Sequence, residues 1–384
     1  TTPHWLTVRP NALGAVAALQ KTYQGATATD LRAVLALPDG GALVGGGSNQ
    51  QADGHWQKWR SRVRRIDKTG KTVWQDKPGI TTGVIRDFVQ QTNGQFVFVA
   101  HPDSGGRSSY TVFTGDGKAV VNRKYKGPSG TYHRDHYHVS QLTPAKSGGF
   151  YSAGRLANPS KNTKDGGWLL VTRHSASALR QWERYLDAGY QAYLNELTVL
   201  SNGQLLAVGW QQGKAGAPHQ PWILRLTSSG AVVSSKALPL VGAAEILSAV
   251  QPLADGGIVV GSYWKNSVND SGWTARLTRL TTDMTPVWRS AWKPQTSTHV
   301  CAGCLQATGK GGWLVGGGSS LTSSNGTVIS HFLARTDDWG HAPCKAAGVC
   351  AGLKAADCAD GDACTHDLCD ASKGCQNPKI AGCK

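Results

Sequence analysis

The densest run of reactive side chains in this 384-residue chain is Tyr132-His133-Arg134-Asp135-His136-Tyr137-His138. Imidazole, phenol, guanidinium and carboxylate groups this close together supply a proton acceptor, a proton donor and a cation that neutralises an acidic substrate. His133, Arg134, His136 and Tyr137 are therefore the candidate catalytic residues. On an extended segment His136 and His138 project to one side. That arrangement suits a divalent metal ion, with His299 or His101 as a further ligand. The chemistry that fits best is β-elimination from an acidic sugar, which needs a His or Tyr base and a cation beside the uronate. Only three Glu occur (Glu183, Glu196, Glu245), and nothing resembles the paired carboxylates of a glycosidase. No GxSxG, P-loop or HExxH motif is present. Cys301-Ala302-Gly303-Cys304 is followed by Leu305, so it is not a haem attachment site.

These residues must be positioned by something regular, and the chain is strongly periodic. Six segments share one pattern: an apolar strand, a glycine turn, and a second apolar strand ending in small residues. Examples are LRAVLALPDGGALVGGG (31–47), IRDFVQQTNGQFVFVAH (85–101) and LSAVQPLADGGIVVGSY (247–263). The turn glycines Gly40, Gly94, Gly148, Gly203, Gly256 and Gly311 are spaced by 54, 54, 55, 53 and 55 residues. Asn-Gly, Asp-Gly and Gly-Gly between alternating strands are hairpin turns, because these residues accept positive φ. A second hairpin follows each of the first ones, as in SRVRRIDKTGKTVWQ (61–75) and WILRLTSSGAVVSSKAL (222–238). Two hairpins per repeat, with this period, predict an all-β, six-bladed β-propeller. The N-terminal stretch matches a second hairpin with no first one before it, so residues 14–23 are expected to complete the last blade. Counting that stretch as its own blade would give seven.

In such a fold the binding residues collect at one end of the strands, in the loops between the second and third strands and in the connections between blades. Those loops hold His55, Trp56, His101, Arg107, Arg155, Trp210, His219, Trp264 and Lys265, which are the candidate ligand-binding residues. Trp168, Trp222 and Trp273 recur near strand starts and read as packing residues. The opposite turns carry little beyond turn chemistry.

Charge and cysteine are unevenly distributed. The net charge is +16, while residues 341–384 hold five Lys and five Asp and contribute nothing to it. A body this basic attracts a polyanion, here an acidic polysaccharide in preference to nucleic acid. Seven of the nine cysteines, Cys344, Cys350, Cys358, Cys364, Cys369, Cys375 and Cys383, lie in the last 41 residues. With Cys301 and Cys304 they read as disulfide cysteines, stapling residues 341–384 into a small appendage to a propeller of residues 1–340. Disulfides imply an oxidising compartment, so the protein is expected to be secreted or at the cell surface, as a monomer. No apolar run is long enough to span a membrane.

With its PDG-type turns and R-x-D-x-x-G hairpins (Arg65 to Gly70), the repeat resembles the PQQ-like and delta-60-type repeats of secreted bacterial propellers. The stretch CADGDACTHDLCDASKGC (358–375) is similar to a Cys-rich motif of secreted myxobacterial proteins. These resemblances imply the propeller fold and secretion. They leave activity open between a polysaccharide lyase, a non-catalytic adhesion scaffold and a metal- or quinone-dependent oxidoreductase.

Overall fold

The computed structural model describes residues 28–49, 60–79, 83–101, 108–125, 137–157, 167–187, 191–214, 216–267, 270, 272–292, 297–307, 312–323, 326–336, 368–370 and 374–376. Among them every regular element is a β-strand. The first sheet is β1 (Ala28–Ala36), β2 (Ala42–Asn49), β3 (Arg60–Ile66) and β4 (Thr72–Gln75). The second is β5 (Val84–Gln90), β6 (Phe96–His101), β7 (Ser109–Phe113) and β8 (Ala119–Lys124). The third is β9 (Tyr137–Pro144), β10 (Phe150–Ala157), β11 (Gly167–His174) and β12 (Arg180–Asp187). The fourth is β13 (Gln191–Val199), β14 (Leu205–Gln212), β15 (Gln220–Leu226) and β16 (Val232–Ala237). The fifth is β17 (Ala244–Pro252), β18 (Ile258–Lys265), β19 (Thr274–Leu280) and β20 (Pro286–Trp292). Then come a three-stranded sheet, β21 (Ser297–Ala307), β22 (Trp313–Ser323) and β23 (Gly326–Arg335), and a short pair, β24 (Leu368–Asp370) and β25 (Gly374–Gln376). Strands pair in chain order within each sheet, which is the topology of propeller blades.

The expected hairpins form as the turn chemistry requires. In the first sheet the Leu37 amide donates to the Gly41 carbonyl and the Gly40 amide to the Leu37 carbonyl, both at 2.9 Å. Gly40, Gly94, Gly148, Gly203 and Gly256 all have φ between 81° and 83°. That left-handed conformation is open to glycine and strained for most other residues. The 54-residue rhythm is thus a rhythm of backbone necessity.

The first strands of the first, second, third and fifth sheets carry a bulge. Register breaks lie between Leu31 and Ala33, between Ile85 and Asp87, and between Leu247 and Ala249. A longer break separates Val300 from Leu305, so the Cys301–Cys304 stretch lies within an irregular part of β21. At the bulge of β5, Asp87 ties two sheets together. Its Oδ1 accepts the Phe88 amide at 2.8 Å, and its Oδ2 accepts the Leu142 amide of β9 at 2.7 Å. Burial pushes this carboxyl up to about 7, against the two amides that favour its charge.

The chain divides into two compact units, with the boundary running through the fourth sheet. In the N-terminal unit, Leu43, Val63 and Trp74 of the first sheet pack on Ile85, Phe88, Phe98 and Phe113 of the second. Val97, Val99 and Tyr110 meet Val139, Leu142, Phe150 and Leu170 of the third. In the C-terminal unit, Val259, Ala275, Leu277 and Trp288 of the fifth sheet pack on Leu305, Trp313 and Val315 of the next. Each fully buried Phe or Leu contributes about 1.5–3 kcal/mol.

Neighbouring sheets are also stapled at the turn end by one recurring bond. Cations or phenols of one sheet donate to a carbonyl in the second hairpin turn of the next. Arg65 donates to the Gly115 carbonyl at 2.6 Å, Arg123 to Ser177 at 2.9 Å, Tyr151 to Ser228 at 3.3 Å, and Lys236 to Asp283 at 2.8 Å.

Candidate functional site

The repeats invite a comparison at one position, the seventh residue after each turn glycine, at the far end of the second strand. It is Gly47, His101, Arg155, Trp210, Tyr263 and Gly318 in successive repeats. The scaffold before this position is nearly uniform and the position itself is not. What each of the four side chains touches defines the candidate site.

His101 is buried, and its Nδ1 lies 3.1 Å from the Ser108 Oγ, which in turn accepts the Val139 amide at 3.2 Å. It closes a loop and links two sheets. Arg155 is half-buried. Its Nη1 donates to the Tyr193 hydroxyl at 2.8 Å, and its guanidinium carbon sits 4.8 Å from that ring's centre. In the strand register Arg155 pairs with His138, and Leu156 with Tyr137.

The C-terminal unit holds two aromatic contacts and a buried ion pair. The Trp210 and His219 rings lie 4.1 Å apart, and burial lowers the His219 pKa, so this imidazole is neutral near pH 7. The His219 carbonyl accepts the Glu245 amide at 2.9 Å, which attaches the start of β17 to this pair. Register pairs Glu245 with Trp264 and Ser262 with Arg276, so these four side chains share one face of the fifth sheet. Glu245 Oε1 accepts the Ser262 hydroxyl at 2.8 Å, and Oε2 accepts Arg276 Nη1 at 3.1 Å. The Trp264 ring covers this buried ion pair, 3.9 Å from the Arg276 guanidinium carbon. Its indole N–H is buried with no partner among the described residues. The loop reaches Trp264 only because residue 242 is glycine: φ is +94°, and a Cβ there would lie 2.5 Å from the Lys265 carbonyl. On the other face Tyr263 meets Trp273 edge-on at 5.0 Å, and the Lys265 ammonium stands 5.1 Å above the Trp273 ring. Burial pushes the Tyr263 phenol up to about 12, so it remains a hydrogen-bond donor.

Trp210, His219, Trp264, Lys265 and Trp273 are each partly exposed. Trp210 with the neutral His219 makes one surface on which a sugar ring can stack, and Trp273 with the Lys265 ammonium makes another, where an acid group can also pair. Of the predicted ligand-binding residues, the structure brings Trp210 and His219 into contact and sets Trp264 and Lys265 on opposite faces of β18. It places His101 in a buried clamp and Arg155 in the N-terminal unit. Trp222 is buried and donates to Ser235 at 2.9 Å, as a packing residue should. Trp273 was expected to pack in the same way and instead stands half-exposed between Tyr263 and Lys265. Sequence reasoning also missed Tyr193, Glu245 and Arg276.

His55, Trp56, Arg107, His133, Arg134 and His136 lie outside the described residues, as do Cys344, Cys350, Cys358, Cys364 and Cys383. Tyr137, His138, His299, Cys301, Cys304, Cys369 and Cys375 are placed in strands by their backbone. Among the described residues no three His, Cys, Asp or Glu side chains converge as a metal set. One buried constellation resembles catalytic machinery. Ser152 Oγ lies 3.0 Å from His174 Nε2 and 3.1 Å from the Tyr110 hydroxyl. All three are sealed in the core, and burial drives the His174 pKa down to about 3, so this is a neutral structural network.

Among the described residues no helix is long and apolar enough to cross a membrane. No protein-family profile and no curated protein matches the chain. Solved structures with similar backbones include a mutant apocarotenoid oxygenase of Synechocystis, 11% identical, at a TM-score of 0.43 over 73% of this chain and 65% of that one. Drosophila Plexin A in complex with Semaphorin 1b is 11% identical at 0.41, over 82% and 80%. An α-L-arabinofuranosidase of Lactobacillus brevis is 12% identical at 0.38, over 66% and 91%. The chain spans less than two thirds of the oxygenase's length. Scores this low carry no argument about function, and the blade-like topology rests on the strand order itself.

Proposed function

We propose that the protein is a secreted, basic β-propeller that binds an acidic polysaccharide. The observation that carries this reading is a pair of aromatic contacts in the C-terminal unit, Trp210 with His219 and Trp273 with Lys265, where half-exposed indoles stand beside an imidazole or an ammonium. Half-exposed, oriented aromatic rings at a strand end are rigid stacking platforms, and a net charge of +16 draws a polyanion towards them. The finer architecture belongs to the same proposal. Six blades, the last completed by residues 14–23, follow from six first hairpins and an unpaired N-terminal half-hairpin. A disulfide-held appendage over 341–384 is supported by the register of β24 and β25, which sets Cys369 directly opposite Cys375. Secretion follows from that reading of the cysteines.

Cleavage by β-elimination is the second reading. The neutral His219 beside Trp210 favours it, because an unprotonated imidazole accepts a proton at neutral pH. The His133–His138 stretch supplies the other candidate groups and the proposed divalent metal ligands. The test is a panel of uronic-acid, sulfated and neutral polysaccharides. Indole fluorescence reports binding and ultraviolet absorbance reports unsaturated product, each with and without chelator. Binding of acidic chains that weakens with salt supports the glycan reading. New absorbance adds the lyase. Binding to none of the panel leaves the adhesion scaffold in its place.

A further inference from the structure

We propose that Arg155 and Tyr193, in the N-terminal unit, form an oxyanion subsite for an acid group carried by a sugar, either a carboxylate or a sulfate ester. The inference deepens the glycan reading by naming what recognises the acid, at residues separate from the indole contacts.

Four other arginines of this unit are paired with an acid or enclosed by backbone carbonyls. Arg62 pairs with Asp76 at 2.6 Å, Arg65 with Asp39 at 2.8 Å, and Arg180 with Glu183 at 2.9 Å. Arg173 is enclosed by the Phe150, Gly148 and His174 carbonyls and the Ser147 hydroxyl. Arg155 has a half-buried guanidinium like these, and the partner it has is a neutral phenol. Among the described residues no carboxylate pairs with it. Its Nε is buried with no partner among the described residues, as is that of Arg225. A guanidinium stays charged in any protein environment, and removing it from water without a counter-anion is costly.

The geometry also fits an incoming anion. Tyr193 comes from β13 and fixes the guanidinium plane in two ways, by accepting from Nη1 and by lying 4.8 Å beneath it. That leaves Nη2 to donate to an oxygen of a carboxylate or sulfate, at the fork edge whose other donor is the buried Nε. His138 is opposite Arg155 in the backbone register. No acidic residue occurs in the β10 strand or at Tyr137–Gln141 of β9, so nothing there competes for the fork. The position is also the one where the repeats diverge, and Arg occurs there once in six.

The experiment uses the full chain with three probes: oligogalacturonate, a sulfated galactan oligosaccharide and a neutral galactan oligosaccharide. Wild type, Arg155→Gln, Arg155→Lys, Tyr193→Phe and Trp210→Ala are compared by calorimetry, with thermal melting as the folding control. Arg155→Gln is expected to weaken an acidic probe by about tenfold or more, the scale of one charge-assisted hydrogen-bond pair. The neutral probe should be unaffected. Arg155→Lys should restore part of the loss. Whichever acidic probe shows the effect identifies the acid. Trp210→Ala should weaken acidic and neutral probes alike. If Arg155→Gln and Tyr193→Phe bind the acidic probes as wild type does, the subsite is overturned while the glycan reading stands. If no oligosaccharide binds, the Arg155 Nε–H resonance is followed against galacturonate, sulfate and methyl galactoside. A shift with either anion alone upholds the subsite without the glycan reading, and no shift overturns it.

Discussion

The two ends of the sheets obey different rules. At the turn end, the same positions recur with the same job. Gly40, Gly94, Gly148, Gly203 and Gly256 hold one backbone conformation. The turn carboxylates are occupied: Asp39 accepts the Gly41 amide and Arg65, and Asp255 accepts the Gly257 amide and Arg279. Those bonds hold both carboxyls below the usual range, the turn amide contributing most. At the far end, the equivalent position changes from Gly to His to Arg to Trp to Tyr. Some of its neighbours there, such as the Trp264 indole N–H and the Arg155 Nε, lack partners among the described residues. Uniformity across repeats marks what the backbone requires. Divergence on a uniform scaffold marks where the backbone leaves the side chain open to choice, for a buried clamp at His101 and for a half-exposed ring at Trp210.

The sharpest way to break this contrast is to disturb the ion pair beneath Trp264 at the far end. Arg276→Ala leaves Glu245 buried and unpaired, and is expected to destabilise the C-terminal unit by about 3–5 kcal/mol. Replacing both residues with apolar ones of similar volume should cost far less. If chemical denaturation shows the single and double variants to be equally damaging, Arg276 matters through packing under Trp264 and not through charge.

A second effect separates structural acids from solvent-facing ones by pH. The folded carboxyl of Asp87 is raised to about 7 from an ordinary value of 3.8. The folded state therefore binds the proton more tightly than the unfolded chain. Its contribution to stability is fully present below about pH 4 and is lost as pH rises to about 7. Asp87→Asn should flatten that part of the stability profile, read from denaturation midpoints between pH 4 and pH 7. An unchanged profile in the variant would show that Asp87 is already ionised in the folded protein.

The smallest effect tests the turn end itself. In the second hairpins the left-handed position is Gly70, Gly117 and Gly230, but also Ala178 at φ 58° and Met284 at φ 65°. Ala178→Gly removes one buried methyl and relieves a backbone strain of about 1–2 kcal/mol. A net gain below about 1 kcal/mol is expected, seen as a slightly raised melting temperature.

What was legible in the sequence follows the same division. The hairpins could be read because a tight turn needs glycine at one place, and that need repeats every 53–55 residues. Trp210, His219, Trp264 and Lys265 could be picked out because they interrupt small or apolar residues where loops begin. The partners of those residues could not. Glu245 meets Arg276 through strand register, across 31 positions of sequence, and Tyr193 reaches Arg155 from the next sheet. Trp273 looked like Trp222 because both lie near a strand start; the contacts with Tyr263 and Lys265 distinguish them. Aligning the repeats on their turn glycines would have exposed Arg155, Trp210 and Tyr263 as one divergent position.

The central claim is that the far end of the strands binds an acidic sugar chain while the turn end only holds the fold. It is tested most directly by titrating oligogalacturonate against wild type, Trp210→Ala, Lys265→Ala and the turn-end control Lys146→Ala, following indole fluorescence at low and high salt. The expected result is saturable quenching that weakens with salt. It should be reduced at least about tenfold in Trp210→Ala, reduced less in Lys265→Ala, and unchanged in Lys146→Ala. Equal losses in all three variants, or affinity that ignores both salt and the far-end substitutions, would contradict the account.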